Sequence, residues 1–249
     1  MTDPTKRFSD RAGYYARWRP SYPAELVDFF KSSLGLSSQS IIADIASGTG
    51  LLTELLLKLG GKVYAVEPNT EMRGAAEKML GGRPGFTSIN GAAEATTLAD
   101  ASVDLVTAAQ AFHWFNGPAA RREFVRILAP GGYVALVWNE RRKEPGSFGL
   151  AYGELTSRFR INRPGAHSTE AMKEFFNPDP MDLATFENHQ TLDFEGLVGR
   201  LLSSSSAPLP GQEGHDAMID ELRRIFQQHE SGGGVRIDYD TRVYYGQLT

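Results

Sequence analysis

Asp44-Ile45-Ala46-Ser47-Gly48-Thr49-Gly50 joins an apolar run, Ile41-Ile42-Ala43, to a leucine-striped segment from Leu51 to Leu59. Glycine lacks the Cβ that holds a ligand away from the main chain, so this stretch predicts a strand, a sharp turn and a helix with a cofactor on the turn. A dinucleotide fingerprint would need a third glycine where Thr53 stands, and a phosphate loop would need Gly-Lys-Ser/Thr where Gly50-Leu51-Leu52 stand. Both are disfavoured. Asp44 at the strand's end places a carboxylate where a cationic ligand group is attracted. Glu67 ends the next strand-like run, Lys62 to Val66, where a carboxylate can accept from both ribose hydroxyls of an adenosine ligand.

The acid-x-Gly-x-Gly-x-Gly pattern on Asp44, Ala46, Gly48 and Gly50 resembles the first motif of class I S-adenosylmethionine-dependent methyltransferases, with Ala46 where that family usually has glycine. Leu128-Ala129-Pro130-Gly131-Gly132-Tyr133 resembles the same family's Leu-x-Pro-Gly-Gly turn. Ala111-Phe112-His113-Trp114-Phe115 resembles a small-molecule subgroup that includes trans-aconitate-type carboxyl methyltransferases. The resemblance implies S-adenosylmethionine as cofactor, with Asp44 near its ammonium and Ala46, Ser47, Gly48 and Gly50 beneath it. Glu67 would then hold the ribose, beside Pro68, and Met72 would border the adenine. Gly91-Ala92-Ala93-Glu94 resembles the adenine-contacting segment, which implies contacts from Ala93 and Glu94, with Ala92 at the usual acidic position. Gln110, Ala111 and Trp114 would line the methionine side. The leader Phe8 to Tyr22 resembles one whose aromatic and basic side chains close over the methionine end, which implies roles for Tyr14 and Arg19.

His113 is the one histidine close to a predicted strand end. Its ordinary pKa suits either proton acceptance or substrate orientation, and hydrogen bonding within a loop is the other reading. The sequence has no cysteine and no histidine pair at ligand spacing, so no metal site is expected. If the acceptor is a carboxylate, Arg19 or Arg141 can orient it.

These residues need a scaffold. Strand-like runs at Ile41, Lys62, Phe86, Val103 and Tyr133 alternate with apolar-striped helices from Leu51, Thr70 and Asn116. Another helix is expected from Pro23, capped by Ser21. Later come helical segments Phe148 to Arg160, Ser168 to Phe176 and Asp216 to Gln228, and alternating segments Ala184 to Phe194 and Val235 to Tyr245. The expected fold is α/β: a three-layer, doubly wound, seven-stranded, mainly parallel Rossmann-like sheet with a helical lid insertion. A single methyltransferase domain is expected over 1–249: lid and helix 1–37, cofactor core 38–139, substrate lid 140–183, closing strands and helices 184–249.

A net charge of −4, without a basic block, argues against nucleic acid. The polar start, Met1 to Asp10, and the lack of a long apolar run predict a cytoplasmic protein without a membrane segment, acting on a small-molecule substrate. A nicotinamide oxidoreductase and a non-catalytic cofactor-binding module are the competing functions.

Overall fold

A computed structural model describes residues 11–161 and 168–249. The polar start Met1 to Asp10, with the first residues of the leader, and Asn162 to His167 of the insertion lie outside the described residues. Apolar runs form β1 (Ile41–Ile45), β2 (Lys62–Val66), β3 (Phe86–Ile89), β4 (Val103–Ala109) and β5 (Leu128–Arg141). The later alternating segments form β6 (Asp182–Leu192) and β7 (Val235–Gly246). They make one seven-stranded sheet in the order β3-β2-β1-β4-β5-β7-β6. The first five strands pair in parallel, and β7 runs antiparallel to β5 and β6.

The chain winds outward from β1 to β3 and returns to β4 on the other side of β1. That reversal opens a crevice at the carboxyl ends of β1 and β4, where the turns after Ile45 and Ala109 leave the sheet. Asp104 staples the opposite end: its carboxylate accepts from the Ile41 amide at 2.7 Å.

Helices cover both faces. On one, α2 (Glu25–Leu34) and α3 (Leu51–Leu56) press Leu26, Phe30, Leu52 and Leu56 against Ile42, Val63 and Leu105. On the other, α5 (Gly117–Ile127) and α7 (Thr169–Phe176) bury Phe124, Ile127, Phe175 and Phe176 against Val106, Leu136 and Trp138. Each such side chain contributes about 1.5–3 kcal/mol by leaving water. α4 (Thr70–Leu80) follows β2, its start capped by Asn69, whose Oδ1 accepts from the Met72 amide at 2.9 Å. A third core joins α6 (Phe148–Arg158), α8 (Phe194–Leu202) and α9 (His215–His229) to the first half of β7. Onto it docks α1 (Ala12–Trp18), with Trp18 seated on bare Gly199, where a Cβ would stand 2.1 Å from the indole.

Four local expectations change. Ser21 does not cap α2: Ala24 occupies the cap position, and the Ser21 carbonyl instead accepts from the side-chain amides of Asn139 and Asn188, which tie this loop to the sheet. The Leu51 to Leu59 helix is α-helical only to Leu56 and ends in a 3-10 turn at Leu57–Leu59, stopped by left-handed Gly60. Strand pairing in β5 begins at Leu128, opposite Val103, and then skips to Tyr133 opposite Leu105. Pro130-Gly131-Gly132 is therefore a bulge within the strand, made possible by Gly131 at φ +81. Finally, the segment expected to remain strand to Phe194 turns helical after Leu192, because the Asp193 carboxylate accepts from the Gly196 amide at 2.8 Å and caps α8.

Candidate active site

The crevice at the strand ends holds a cleft of about 350 Å³. Its floor is the turn after β1, at Ala46 and Gly48; one wall is Glu67, Pro68, Asn69 and Met72, and the far wall is Ala109, Gln110 and Ala111 from the end of β4. The loop Ala92-Ala93-Glu94 and the segment Trp114-Phe115-Asn116 close its ends, and Tyr15 of α1 covers it.

Two residues lining this cleft hold left-handed backbone without being glycine: Ala46 at φ 53 and Gln110 at φ 57. Each costs of order 1 kcal/mol, a strain typical of places where main chain is shaped for a ligand. Gly48 is also left-handed, and a Cβ there would lie 3.2 Å from the Met72 Cε, so its bareness keeps the floor open. Ser47 Oγ is buried beside Asp44 without a hydrogen-bond partner.

The carboxylates organise these loops. Glu67 is 7% exposed; its Oε2 accepts from the Gly48 amide at 2.9 Å and its Oε1 from the Asn69 amide at 2.8 Å. Burial raises its pKa, opposed by these two amides. Asp44 is fully buried, with Oδ2 accepting from the Thr53 hydroxyl at 2.6 Å and Oδ1 from the Thr107 hydroxyl at 3.1 Å. Burial pushes its carboxyl up to about 7, although both threonines favour the charged form. Glu94 Oε1 accepts from the Asn116 amide at 2.7 Å and ties the Ala92-Ala93-Glu94 loop to the start of α5.

A family model described as a methyltransferase domain matches residues 43–136, which span the cleft's floor and walls. An uncharacterised methyltransferase of Mycobacterium tuberculosis is 39% identical over 247 residues, covering 96% of this chain and 94% of that protein. A methyltransferase-like protein of Schizosaccharomyces pombe is 36% identical over 251 residues, again 96% and 94%. The chain belongs to the class I S-adenosylmethionine-dependent methyltransferases. In fold it is similar to a type II methyltransferase candidate from Anaeromyxobacter dehalogenans, with a TM-score of 0.70 at 22% identity over 92% of this chain and 97% of that one.

The cofactor of this methyltransferase is S-adenosylmethionine, and the cleft fits it: the bare Gly48 in its floor and the Glu67 carboxylate at the end of β2 both border the space an adenosyl amino acid needs, and the unpartnered Ser47 hydroxyl lies in the small cavity beside it. Nicotinamide gives way to it. Of the residues singled out in the sequence, Ala46, Gly48, Glu67, Pro68, Met72, Ala93, Glu94, Gln110, Ala111 and Trp114 line the cleft together. Asp44 and Ser47 sit just below, in a small adjoining cavity with Tyr22. Gly50 does not reach the cleft; it opens α3 in left-handed backbone, where a Cβ would meet Leu80 at 2.7 Å.

Three side chains fall elsewhere. Tyr14 is 38% exposed, and its neighbour Tyr15 covers the cleft instead. Arg19 points toward α8, where its Nη2 donates to the Ser203 carbonyl at 3.0 Å. His113 lies in a 3-10 turn, its ring 4.6 Å from that of Trp114, and lines a second depression with Arg121, Glu174 and Phe175. Tyr15, Asn69, Ala109, Phe115 and Asn116 are cleft residues that sequence reasoning missed. Asn69 carried a signal, as an N-cap type directly before a helix.

No helix among the described residues is long and apolar enough to cross a membrane, and no group of described His, Asp or Glu residues is arranged to hold a metal ion.

Proposed function

We propose that this methyltransferase transfers a methyl group to a small organic acceptor and that the accepting atom is a carboxylate oxygen. The observation that carries this reading is the cleft's lining: among the described residues its titratable side chains are Tyr15, Glu67 and Glu94, and both glutamates are engaged with backbone amides. A carboxylate acceptor needs no base, because it arrives deprotonated. S-adenosylmethionine supplies an electrophilic methyl carbon on a sulfonium that departs as a neutral thioether. The chain's own part is to bind, align and dry the two partners, and orientation of this kind is worth several kcal/mol, ~7–11 at best.

In this proposal Asp44 attracts the ammonium, Glu67 accepts from the ribose, and Ala93 and Glu94 flank the adenine. His113 contacts substrate only from the side of the second depression, as a positioning residue. The trans-aconitate-type resemblance supports a carboxylic acid acceptor and a small-molecule partner. The test is incubation of the purified protein with S-adenosylmethionine and a panel of mono-, di- and tricarboxylic acids, alcohols and amines, read by mass spectrometry. Base-labile methyl esters are the expected products. Methylated amines or alcohols alone would overturn the carboxylate reading.

A further inference from the structure

Three guanidinium groups lie together where the end of α1, the end of β5 and α8 converge, and among the described residues no carboxylate pairs with any of them. Arg200 on α8 is 9% exposed, and its Nε reaches no hydrogen-bond partner. Arg141, the last residue of β5, has an unpartnered buried Nε and holds its guanidinium 4.9 Å from the centroid of the Tyr152 ring. Arg19 covers the ring of Tyr15 at 4.7 Å, and its Nε is also unpartnered. The arginines that do find carboxylates lie elsewhere among the described residues, as where neighbouring Arg142 pairs with Asp240 at 2.7 Å.

The three charges feel one another. Burial lowers the pKa of Arg19 and of Arg141, and the charge of Arg200 lowers both further. Arginine does not escape by deprotonating, so the cluster remains cationic and pays a desolvation penalty that an anion would remove. Tyr239 stands opposite Arg141 in the sheet, and its buried hydroxyl lies against the Arg200 guanidinium. Tyr152 is 2% exposed and lies near both Arg141 and Arg200. The cluster adjoins the cofactor cleft, because Tyr15 belongs to both and because Asn139, on β5 just before Arg141, accepts from the Gln110 side chain at 3.3 Å.

We propose that Arg19, Arg141 and Arg200, with the hydroxyls of Tyr152 and Tyr239, bind the methyl acceptor, and that this acceptor is a small organic anion with at least two negative charges, carried as carboxylates or phosphates. The inference rests on the methyl-transfer reading of the adjoining cleft. It assigns Arg19 to the acceptor rather than to the cofactor, and it adds Arg200. Planar forked guanidiniums match either oxyanion by paired hydrogen bonds.

The experiment is calorimetric titration of the full chain, saturated with S-adenosylhomocysteine, with citrate and separately with pyrophosphate. Saturable binding of at least one is expected, with citrate the tighter for a carboxylate site and pyrophosphate for a phosphate site. Arg200→Met and Arg141→Gln should each weaken that binding about 10- to 100-fold, the loss of one charge-assisted paired contact, while S-adenosylhomocysteine affinity stays within about twofold. Arg200→Met should also melt at or above the wild-type temperature without added anion, since it removes a buried unpaired charge. Absence of binding by both probes, equal binding by the variants, or a lowered melting temperature for Arg200→Met with citrate binding intact would overturn the proposal. Failure of the wild type to bind S-adenosylhomocysteine would instead sink the methyl-transfer reading.

Discussion

At the scale of single residues, the two buried carboxylates behave differently. Glu67 is satisfied by backbone amides that it holds in place, whereas Asp44 is held by hydroxyls that tolerate either protonation state. With a folded-state pKa of about 7 against an ordinary ~3.9, Asp44 favours folding fully below ~pH 4, and that contribution is lost as pH rises through about 7. Asp44→Asn should therefore flatten this loss, measured by urea unfolding between pH 4 and 8, with ~4 kcal/mol as the upper bound on the difference. A ligand ammonium would draw the carboxyl back down, so cofactor affinity should rise through the same window in wild type and not in the variant. Ala46 offers a second test. Its φ of 53 is natural for glycine, so Ala46→Gly should stabilise the chain by about 1 kcal/mol in the same assay. An unchanged or lowered stability would mean that its methyl group is packed to advantage.

At the scale of elements, α1 is the most consequential for the site. It brings Tyr15 over the cleft and Arg19 to the arginine cluster, and it is attached through Trp18 in the groove of Gly196 and Gly199 on α8. Arg11 adds donations to the carbonyls of Leu202, the last residue of α8, and of Ser204 and Ala207 just beyond it. Gly199→Ala should unseat the indole, costing about 1–3 kcal/mol, and should weaken cofactor binding measured by calorimetry, although the substitution touches no cleft residue. Stability lost with affinity unchanged would show that α1 does not cover the cofactor. The same element shows what pattern reading misses. Tyr14 and Tyr15 are adjacent and of equal chemistry, and the docking of Trp18 together with the Arg11 anchor sets the rotation of the helix that turns Tyr15 inward.

At the scale of the whole molecule, the cofactor cleft draws residues from the ends of β1, β2 and β4, from the loop after β3 and from α1, so ligand binding ties separate elements together. S-adenosylhomocysteine at about 100 times its Kd should add ~2.7 kcal/mol and raise Tm by roughly 5–10 °C, while NADH should leave it unchanged. A shift with NADH alone would reverse the cofactor assignment. The sequence by itself determined the sheet's parallel half and the floor of the cleft. Buried parallel strands are continuous apolar runs, and the turn from Asp44 to Gly50 has its chemistry in consecutive residues. The cleft wall of Glu67, Pro68 and Met72 was legible for the same reason, since these residues follow one strand directly. Tertiary structure decided which leader side chain covers the cleft and brought Arg200 to Arg19 and Arg141. Arg19, Arg141 and Arg200 come from three distant parts of the chain, and α8 had no strand-helix rhythm to announce it. A guanidinium is legible as ordinary surface charge until the fold buries it without a counterion.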